Sequence, residues 1–119
     1  VKTQMDSGMF YGIQKGAIAA LKISSDWFQK INEIYQRRRK MMWQIAERLE
    51  CTYDKNSSGM FVWAKLPEKK TAESMVDDLL YTKDIFVAPG TIFGSKGKQY
   101  IRLSLCVSEE KIKEALERL

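Results

Sequence analysis

The chain has 119 residues, of which 45% are hydrophobic and 29% are charged, a composition typical of one globular domain with a packed core. It contains no histidine and only two cysteines, which excludes a Ser-His-Asp triad or a structural zinc site built within this chain. Its net charge of +5 is mild, and no apolar run approaches the roughly 20 residues that span a bilayer. No signal peptide precedes Val1, so we expect a soluble protein, and one that is a piece of a longer chain.

The N-terminal part predicts two helices. Small and apolar residues recur at spacings of three and four over Ser7–Ile23, although glycines in this segment lower its intrinsic helix stability. After an interruption, a capping pair of Asp26 and Gln29 opens a second helix over Trp27–Leu49. At 1.5 Å per residue this helix is roughly 35 Å long. That length is large for so small a domain, so we expect the helix to extend toward a part of the protein outside this domain.

The rest of the chain predicts a small sheet with two more helices. Alternating apolar residues and turn signals predict four strands, namely Thr52–Tyr53, Met60–Leu66, Ile85–Ala88 and Tyr100–Val107. Thr71 caps a helix that runs to about Leu80, and Ser108 caps the last helix. The order α-α-β-β-α-β-β-α indicates an α+β fold, with a mixed or antiparallel sheet of about four strands and helices packed on one face.

An arginine lies in the middle of the last predicted strand. Strand alternation places Ile101, Leu103 and Leu105 on the core face, and Arg102 on the opposite face. One interpretation is a solvated sheet face, where an arginine contributes little even when it is paired. The other is an anion receptor, because a guanidinium matches a carboxylate with two parallel hydrogen bonds. The strand pattern alone leaves both interpretations open.

Two basic segments favour structural over nucleic-acid roles. The run Arg37–Lys40 points around its helix, since consecutive helical residues lie ~100° apart, and no aromatic stacking platform alternates with it. We expect a solvated helix surface or a subunit contact there. The stretch Gly94–Lys98 lacks the spacing of a phosphate-binding loop and leads into a strand, so a mobile loop is expected.

Several other side chains are expected to be structural. Cys51 and Cys106 are interpreted as small core hydrophobes in a reducing compartment. Asp77 and Asp78 point to different faces of a helix and do not form a catalytic pair. The aromatic residues expected in the core are Trp27, Phe28, Trp43, Phe61 and Trp63.

Three stretches together resemble the C-terminal part of the fold type I, pyridoxal-phosphate-dependent aminotransferases. The stretch VAPGTIFGSKGKQYIRLSL (Val87–Leu105) resembles the family's strand, Pro-Gly loop and arginine-bearing strand, and NSSGMFVWAKLP (Asn56–Pro67) resembles its small-domain hairpin. The opening VKTQMDSGMFYGIQKGAIAAL resembles the segment that follows the cofactor-binding lysine. The resemblance covers essentially the whole chain in the family's order.

The resemblance implies a division of labour along the chain. Residues 1–25 would be a remnant of the large cofactor-binding domain, and residues 26–119 would be the small domain. Arg102 matches the arginine that binds the α-carboxylate of an amino-acid substrate, and Phe93 is a candidate substrate contact. The Schiff-base lysine would lie upstream of Val1, since Lys2 does not lie in the family's lysine motif. No catalytic residue, cofactor-binding residue or metal ligand is therefore assigned within the chain.

The implied activity is that of the longer protein. The resemblance implies transfer of an amino group between an amino acid and a 2-oxo acid, with pyridoxal 5′-phosphate as cofactor and no activity of this chain alone. It further implies a cytoplasmic homodimer in which this domain contacts the large domain of its own chain, without nucleic-acid or membrane partners. Two alternatives remain open: another enzyme with the same fold and cofactor (a C–S lyase, decarboxylase or synthase), or a free-standing basic α+β binding module.

Overall fold

The computed structural model describes residues 8–119, and Lys2 and the predicted helix start at Ser7 therefore lie outside the described residues. The chain divides into two compact units, Val1–Asn32 and Glu33–Leu119. The described part of the first unit contains helix α1, Tyr11–Leu21, and the start of helix α2, which runs Ser25–Arg48. Neither Gly8 nor Ile23 is part of α1, so this helix is shorter than predicted.

The described part of the first unit exposes most of its apolar side chains. No residue of α1 is buried, and its apolar side chains include Ile13 at 60% and Leu21 at 87% exposure. Trp27 and Phe28, both expected in the core, are 48% and 50% exposed and contact each other edge to face, with ring centroids 5.1 Å apart. Asp26 lies inside the first turn of α2 and not before the helix, as a capping residue would. In this position its carboxylate interacts favourably with the helix dipole.

The second unit contains an antiparallel sheet of four strands and confirms the α+β prediction. After α2 the elements are β1 (Thr52–Tyr53), β2 (Phe61–Lys65), α3 (Ala72–Lys83), β3 (Ala88–Pro89), β4 (Tyr100–Ser104) and α4 (Glu109–Arg118). The strand order is β1-β2-β4-β3, and every neighbouring pair is antiparallel. Thr71 caps α3 by accepting from the Ser74 amide at 3.3 Å, and Ser108 caps α4 by accepting from the Lys111 amide at 3.5 Å, as predicted.

The core lies between one face of this sheet and the helices. Val62 and Ala64 of β2 and Ile101 of β4 are completely buried, and their neighbours Phe61 and Trp63 point the other way because side chains alternate along a strand. The helices contribute residues to the same core cluster, namely Met42, Ile45, Ala46, Met75, Val76, Leu79 and Ile112. The sheet therefore has one packed face and one open face.

Three strands are shorter than the sequence suggested, and the first of them, β2, comprises Phe61–Lys65 instead of Met60–Leu66. β3 comprises Ala88 and Pro89 alone; proline lacks the N–H of a ladder, which suits this edge position. β4 ends at Ser104, whose hydroxyl accepts from the Cys106 amide at 3.2 Å and turns the chain. Cys106 and Val107 are consequently exposed, and the expectation that Cys106 lies in the core was wrong.

The three consecutive arginines of α2 hold three different parts of the second unit. Arg37 Nε lies 3.0 Å from a Glu109 carboxylate oxygen at the start of α4. Arg38 donates to the Leu105 carbonyl at 3.1 Å, and Arg39 donates to the Gly59 carbonyl before β2. The expected solvated surface holds for Arg37, whose side chain is 56% exposed, whereas Arg38 and Arg39 are half-buried; all three arginines find partners within the chain.

Over residues 8–119, every helix is too short or too polar to span a bilayer. The same residues contain no group of three or more acidic or cysteine side chains positioned to hold a metal ion.

The buried Cys51 gives a prediction for stability at high pH. Burial raises the pKa of the Cys51 thiol from 9.0 to about 11, against a smaller lowering effect of the Lys70 charge. The folded state thus holds the thiol proton more tightly than the unfolded state does. The free energy of unfolding is therefore unaffected by this thiol below about pH 9, and it falls as the pH rises toward about 11. At about 1.4 kcal/mol per pKa unit, the loss is at most roughly 3 kcal/mol.

We expect the 119-residue chain to lose more unfolding free energy than its Cys51→Ala variant between these pH values. Urea unfolding followed by tryptophan fluorescence measures both. Other groups that titrate in this range are common to the two proteins and cancel in the difference. Parallel pH profiles would show that the Cys51 thiol is not linked to folding.

Candidate functional site: an arginine on the open sheet face

Arg102 lies at the centre of the open face of the sheet. Its neighbour in the register is Trp63 on β2 and, on the other side, Ala88 on β3. Arg102 is half-buried, whereas the residues before and after it in β4, Ile101 and Leu103, are buried in the core. The alternation that builds the core thus also fixes the side from which the guanidinium emerges.

Two phenylalanine rings flank the Arg102 guanidinium. Its Cζ atom lies 4.2 Å from the ring centroid of Phe61 and 4.1 Å from that of Phe93. The two rings come from separate segments of the chain and both pack directly against the guanidinium. A guanidinium over an aromatic ring gains about 0.5–2 kcal/mol. The N–H groups along the edge of the plane remain available for a ligand.

A row of aromatic side chains continues from Phe93 across the open face. The Trp63 ring meets the Phe93 ring edge to face at a centroid distance of 5.8 Å, and stacks on Tyr100 at 5.4 Å with an interplanar angle of 14°. Phe61 and Trp63 are 41% and 40% exposed, so their predicted core location was wrong. The predicted core location of Trp43 holds only in part, since it is half-buried and stacks on Tyr53 with centroids 5.6 Å apart.

The electrostatics of this face favour an anion. Within residues 8–119, no carboxylate oxygen lies close enough to Arg102, 4.0 Å or less, to form an ion pair with it. Lys65 on β2 and Lys96 on the neighbouring loop are exposed and add positive charge, whereas the charge of Lys98 interacts with the Glu73 carboxylate. A half-buried guanidinium with two rings beside it and no carboxylate partner among the described residues has the chemistry to bind a planar anion.

The segment that carries Phe93 consists of two 3-10 helices, Gly90–Phe93 and Ser95–Gln99, rather than the mobile loop expected. Gly90 and Gly97 bring these helices into backbone contact. A Cβ atom on Gly97 would lie 2.0 Å from the Gly90 carbonyl oxygen, and one on Gly90 would lie 2.3 Å from the Gly97 carbonyl oxygen. Only glycine fits at both positions, and this contact fixes the backbone on either side of Phe93.

The described residues do not make a site for pyridoxal phosphate. A lysine that forms a Schiff base with this cofactor is held in an enclosed pocket, whereas the lysines close to Arg102 are exposed to solvent. The open face also offers no carboxylate to pair with a pyridine nitrogen. Among the described residues, Arg102 offers its guanidinium to an anion, and no chemical step is assigned to these residues.

The fold defines a class of protein, an α+β domain with an arginine on its open sheet face, and comparison with known proteins specifies the family. A family profile described as aminotransferase class I and II matches residues 4–119. The LL-diaminopimelate aminotransferase of Halothermothrix orenii is 37% identical over 119 residues, covering all of this chain and 31% of that protein. That of Maridesulfovibrio salexigens is 34% identical over the same length, again 31% of the relative.

Solved structures agree with this result. The apo-BacF structure from Bacillus subtilis superposes with a TM-score of 0.79 at 31% identity, covering 98% of this chain and 32% of that one. The chain belongs to the aminotransferase class I and II family, whose members depend on pyridoxal 5′-phosphate. It spans about a third of the length of the curated relatives it matches, 31% in both proteins named above.

The structure brings together the two site residues that the sequence singled out, since Phe93 contacts the guanidinium of Arg102. Sequence reasoning missed Phe61, which was assigned to the core. The signal was present in the register of the hairpin: Phe61 pairs with Ser104, two residues beyond Arg102 on the same face. A diagonal neighbour at this spacing is within reach of an aromatic or long side chain.

The contact between Gly90 and Gly97 predicts that Gly97→Ala disturbs the segment that carries Phe93. The new methyl group would overlap the Gly90 carbonyl, and overpacking of this kind costs about 1–3 kcal/mol. Gly16→Ala in α1 is the matched control, because a Cβ there meets nothing within 4 Å and alanine favours a helix by about 1 kcal/mol. Urea unfolding measures both; Gly97→Ala as stable as the unchanged chain would contradict the close contact.

Proposed function

We propose that this chain is the small domain of a pyridoxal-phosphate-dependent amino-acid aminotransferase and that Arg102 binds the α-carboxylate of its substrate. The full protein would transfer an amino group between an amino acid and a 2-oxo acid. The observation that carries the proposal is the Arg102 guanidinium, flanked by two rings at 4.1 and 4.2 Å and without a carboxylate partner among the described residues.

The geometry suits an α-carboxylate for a physical reason. A carboxylate and a guanidinium are both planar, and they form two parallel hydrogen bonds when they lie edge to edge in one plane. With the rings of Phe61 and Phe93 packed against the guanidinium, its N–H groups would be left to pair with such a carboxylate. Binding through two hydrogen bonds would fix the orientation of the substrate as well as its position, and orientation is a large part of catalytic advantage.

Phe93 has a more specific part in this proposal than a general substrate contact. Its ring packs against the Arg102 guanidinium and also contacts the Trp63 ring edge to face. We propose that Phe93, at 49% exposure, lines the place where the substrate carboxylate arrives. The chain would contribute binding and orientation, and the residues that hold the cofactor would come from the remainder of the protein.

The proposal also covers the organisation of the longer protein. Residues 1–25 would belong to the large cofactor domain and residues 26–119 to the small domain, as the order of the resembling stretches suggests. The exposed apolar side chains of α1 support contact with a larger partner domain. A homodimer in the cytoplasm is proposed on family resemblance and on two cysteines that form no disulfide.

The alternative functions receive less support from the same contacts. A nucleic-acid-binding module would use the arginines of α2, but Arg37, Arg38 and Arg39 are engaged with Glu109, Leu105 and Gly59. A lyase, decarboxylase or synthase with the same fold would also bind an amino-acid carboxylate. Both relatives compared above are named LL-diaminopimelate aminotransferase, which favours transamination.

The proposal predicts that Arg102→Leu in the full-length protein lowers kcat/KM for amino acids by about a hundredfold or more. Leucine keeps the apolar stem but leaves the substrate carboxylate without a partner, and such losses are several kcal/mol. Steady-state kinetics measures the effect. A change below about tenfold, or ~1.4 kcal/mol, would contradict carboxylate binding by Arg102.

A matched control separates this effect from loss of charge in general. Arg37→Leu removes another arginine, which is exposed and paired with Glu109 on the surface. Exposed ion pairs contribute about 0–1 kcal/mol to stability, so this variant should keep its kcat/KM within about twofold. Cofactor absorbance should be the same in both variants, which shows that the cofactor site is intact.

A further inference from the structure

We infer that Phe61 is a positioning residue for the proposed carboxylate site and acts through Arg102 rather than on the substrate. The inference deepens the proposed function and rests on it. Its basis is the 4.2 Å distance between the Arg102 Cζ atom and the Phe61 ring centroid, which completes the flanking of the guanidinium that Phe93 begins. One ring leaves an arginine free to rotate away from it, whereas two rings confine the guanidinium plane.

The backbone places Phe61 for this contact. In the antiparallel register of β2 and β4, Trp63 lies opposite Arg102, and Phe61 lies opposite Ser104. Phe61 therefore reaches the guanidinium diagonally along the open face, a distance that suits a long side chain and an aromatic ring. Phe93 approaches from a different segment, the 3-10 helix Gly90–Phe93, so the two rings are positioned independently.

Phe61 has no comparable structural task in the described part of the chain. Its side chain is 41% exposed and belongs neither to the buried core cluster nor to the partly buried residues packed against it. The Phe61 ring lies on the open face of the sheet, and its main interaction there is with the Arg102 guanidinium. Replacing the ring is therefore expected to change the arginine and leave the core unchanged.

The two rings also restrict the form of the ligand. Rings packed against a guanidinium limit the directions from which a hydrogen-bond partner can reach it. A flat carboxylate satisfies this restriction with both oxygens. Without Phe61, one face of Arg102 becomes open to water and the side chain gains other rotamers, so the carboxylate is bound more weakly and with a less defined orientation.

A double-mutant cycle in the full-length holoenzyme tests the inference. We expect Phe61→Leu to lower kcat/KM for amino acids about tenfold, chiefly through a higher KM, and Phe61→Tyr to restore it to within about threefold because the ring is kept. In an Arg102→Leu background, Phe61→Leu should change kcat/KM by less than about twofold, since its partner is already absent. Tyr81→Leu, which removes an aromatic side chain that is 81% exposed on α3, is the control and should have no effect.

Each result has a distinct meaning. If Phe61→Leu lowers activity by the same factor with and without Arg102, Phe61 acts on the fold or on another group, and the inference is overturned. An unchanged kcat/KM in Phe61→Leu overturns it as well, provided that Arg102→Leu is strongly impaired. If Arg102→Leu itself is unimpaired, the proposed function fails first. Where Arg102→Leu turns over too slowly, the dissociation constant of a 2-oxo acid, measured by isothermal titration calorimetry, gives the same cycle.

Discussion

The guanidinium of Arg102, held between the rings of Phe61 and Phe93, is the interaction on which the account of this chain depends. A cation in water binds anions weakly because solvent screens it, and a flexible side chain loses entropy when it binds. The two aromatic rings reduce both costs, because they displace water from the guanidinium and limit the rotamers of the side chain. What remains is one hydrogen-bonding edge directed to a ligand.

The rest of the second unit holds this group in place. Burial of Ile101 and Leu103 fixes the twist and register of β4, and the bond from Arg38 to the Leu105 carbonyl anchors the end of that strand to α2. The contact between Gly90 and Gly97 fixes the segment that brings Phe93 over the sheet. A rigid strand and a constrained loop are the kind of support that a binding group requires, because displacements of about 1 Å weaken catalysis greatly.

The sequence was sufficient for the fold and for the position of Arg102, but not for the contacts around it. Element order and strand alternation predicted the α+β sheet and the open face, since both follow from period-2 patterning. The same alternation could have placed Phe61 and Trp63 on that face, but hydrophobicity assigned them to the core. The partners of Arg37, Arg38 and Arg39 depend on contacts between distant segments, and no local pattern encodes them. The two 3-10 helices likewise depend on the meeting of Gly90 and Gly97, seven residues apart.

The most direct test is a crystal structure of the full-length protein with an amino-acid substrate analogue bound. We predict that both oxygens of the α-carboxylate lie about 2.7–2.9 Å from guanidinium nitrogens of Arg102 and in the plane of the guanidinium, with the Phe61 and Phe93 rings still stacked on its faces. A carboxylate bound elsewhere, with Arg102 in contact only with water or with another protein group, would contradict the account.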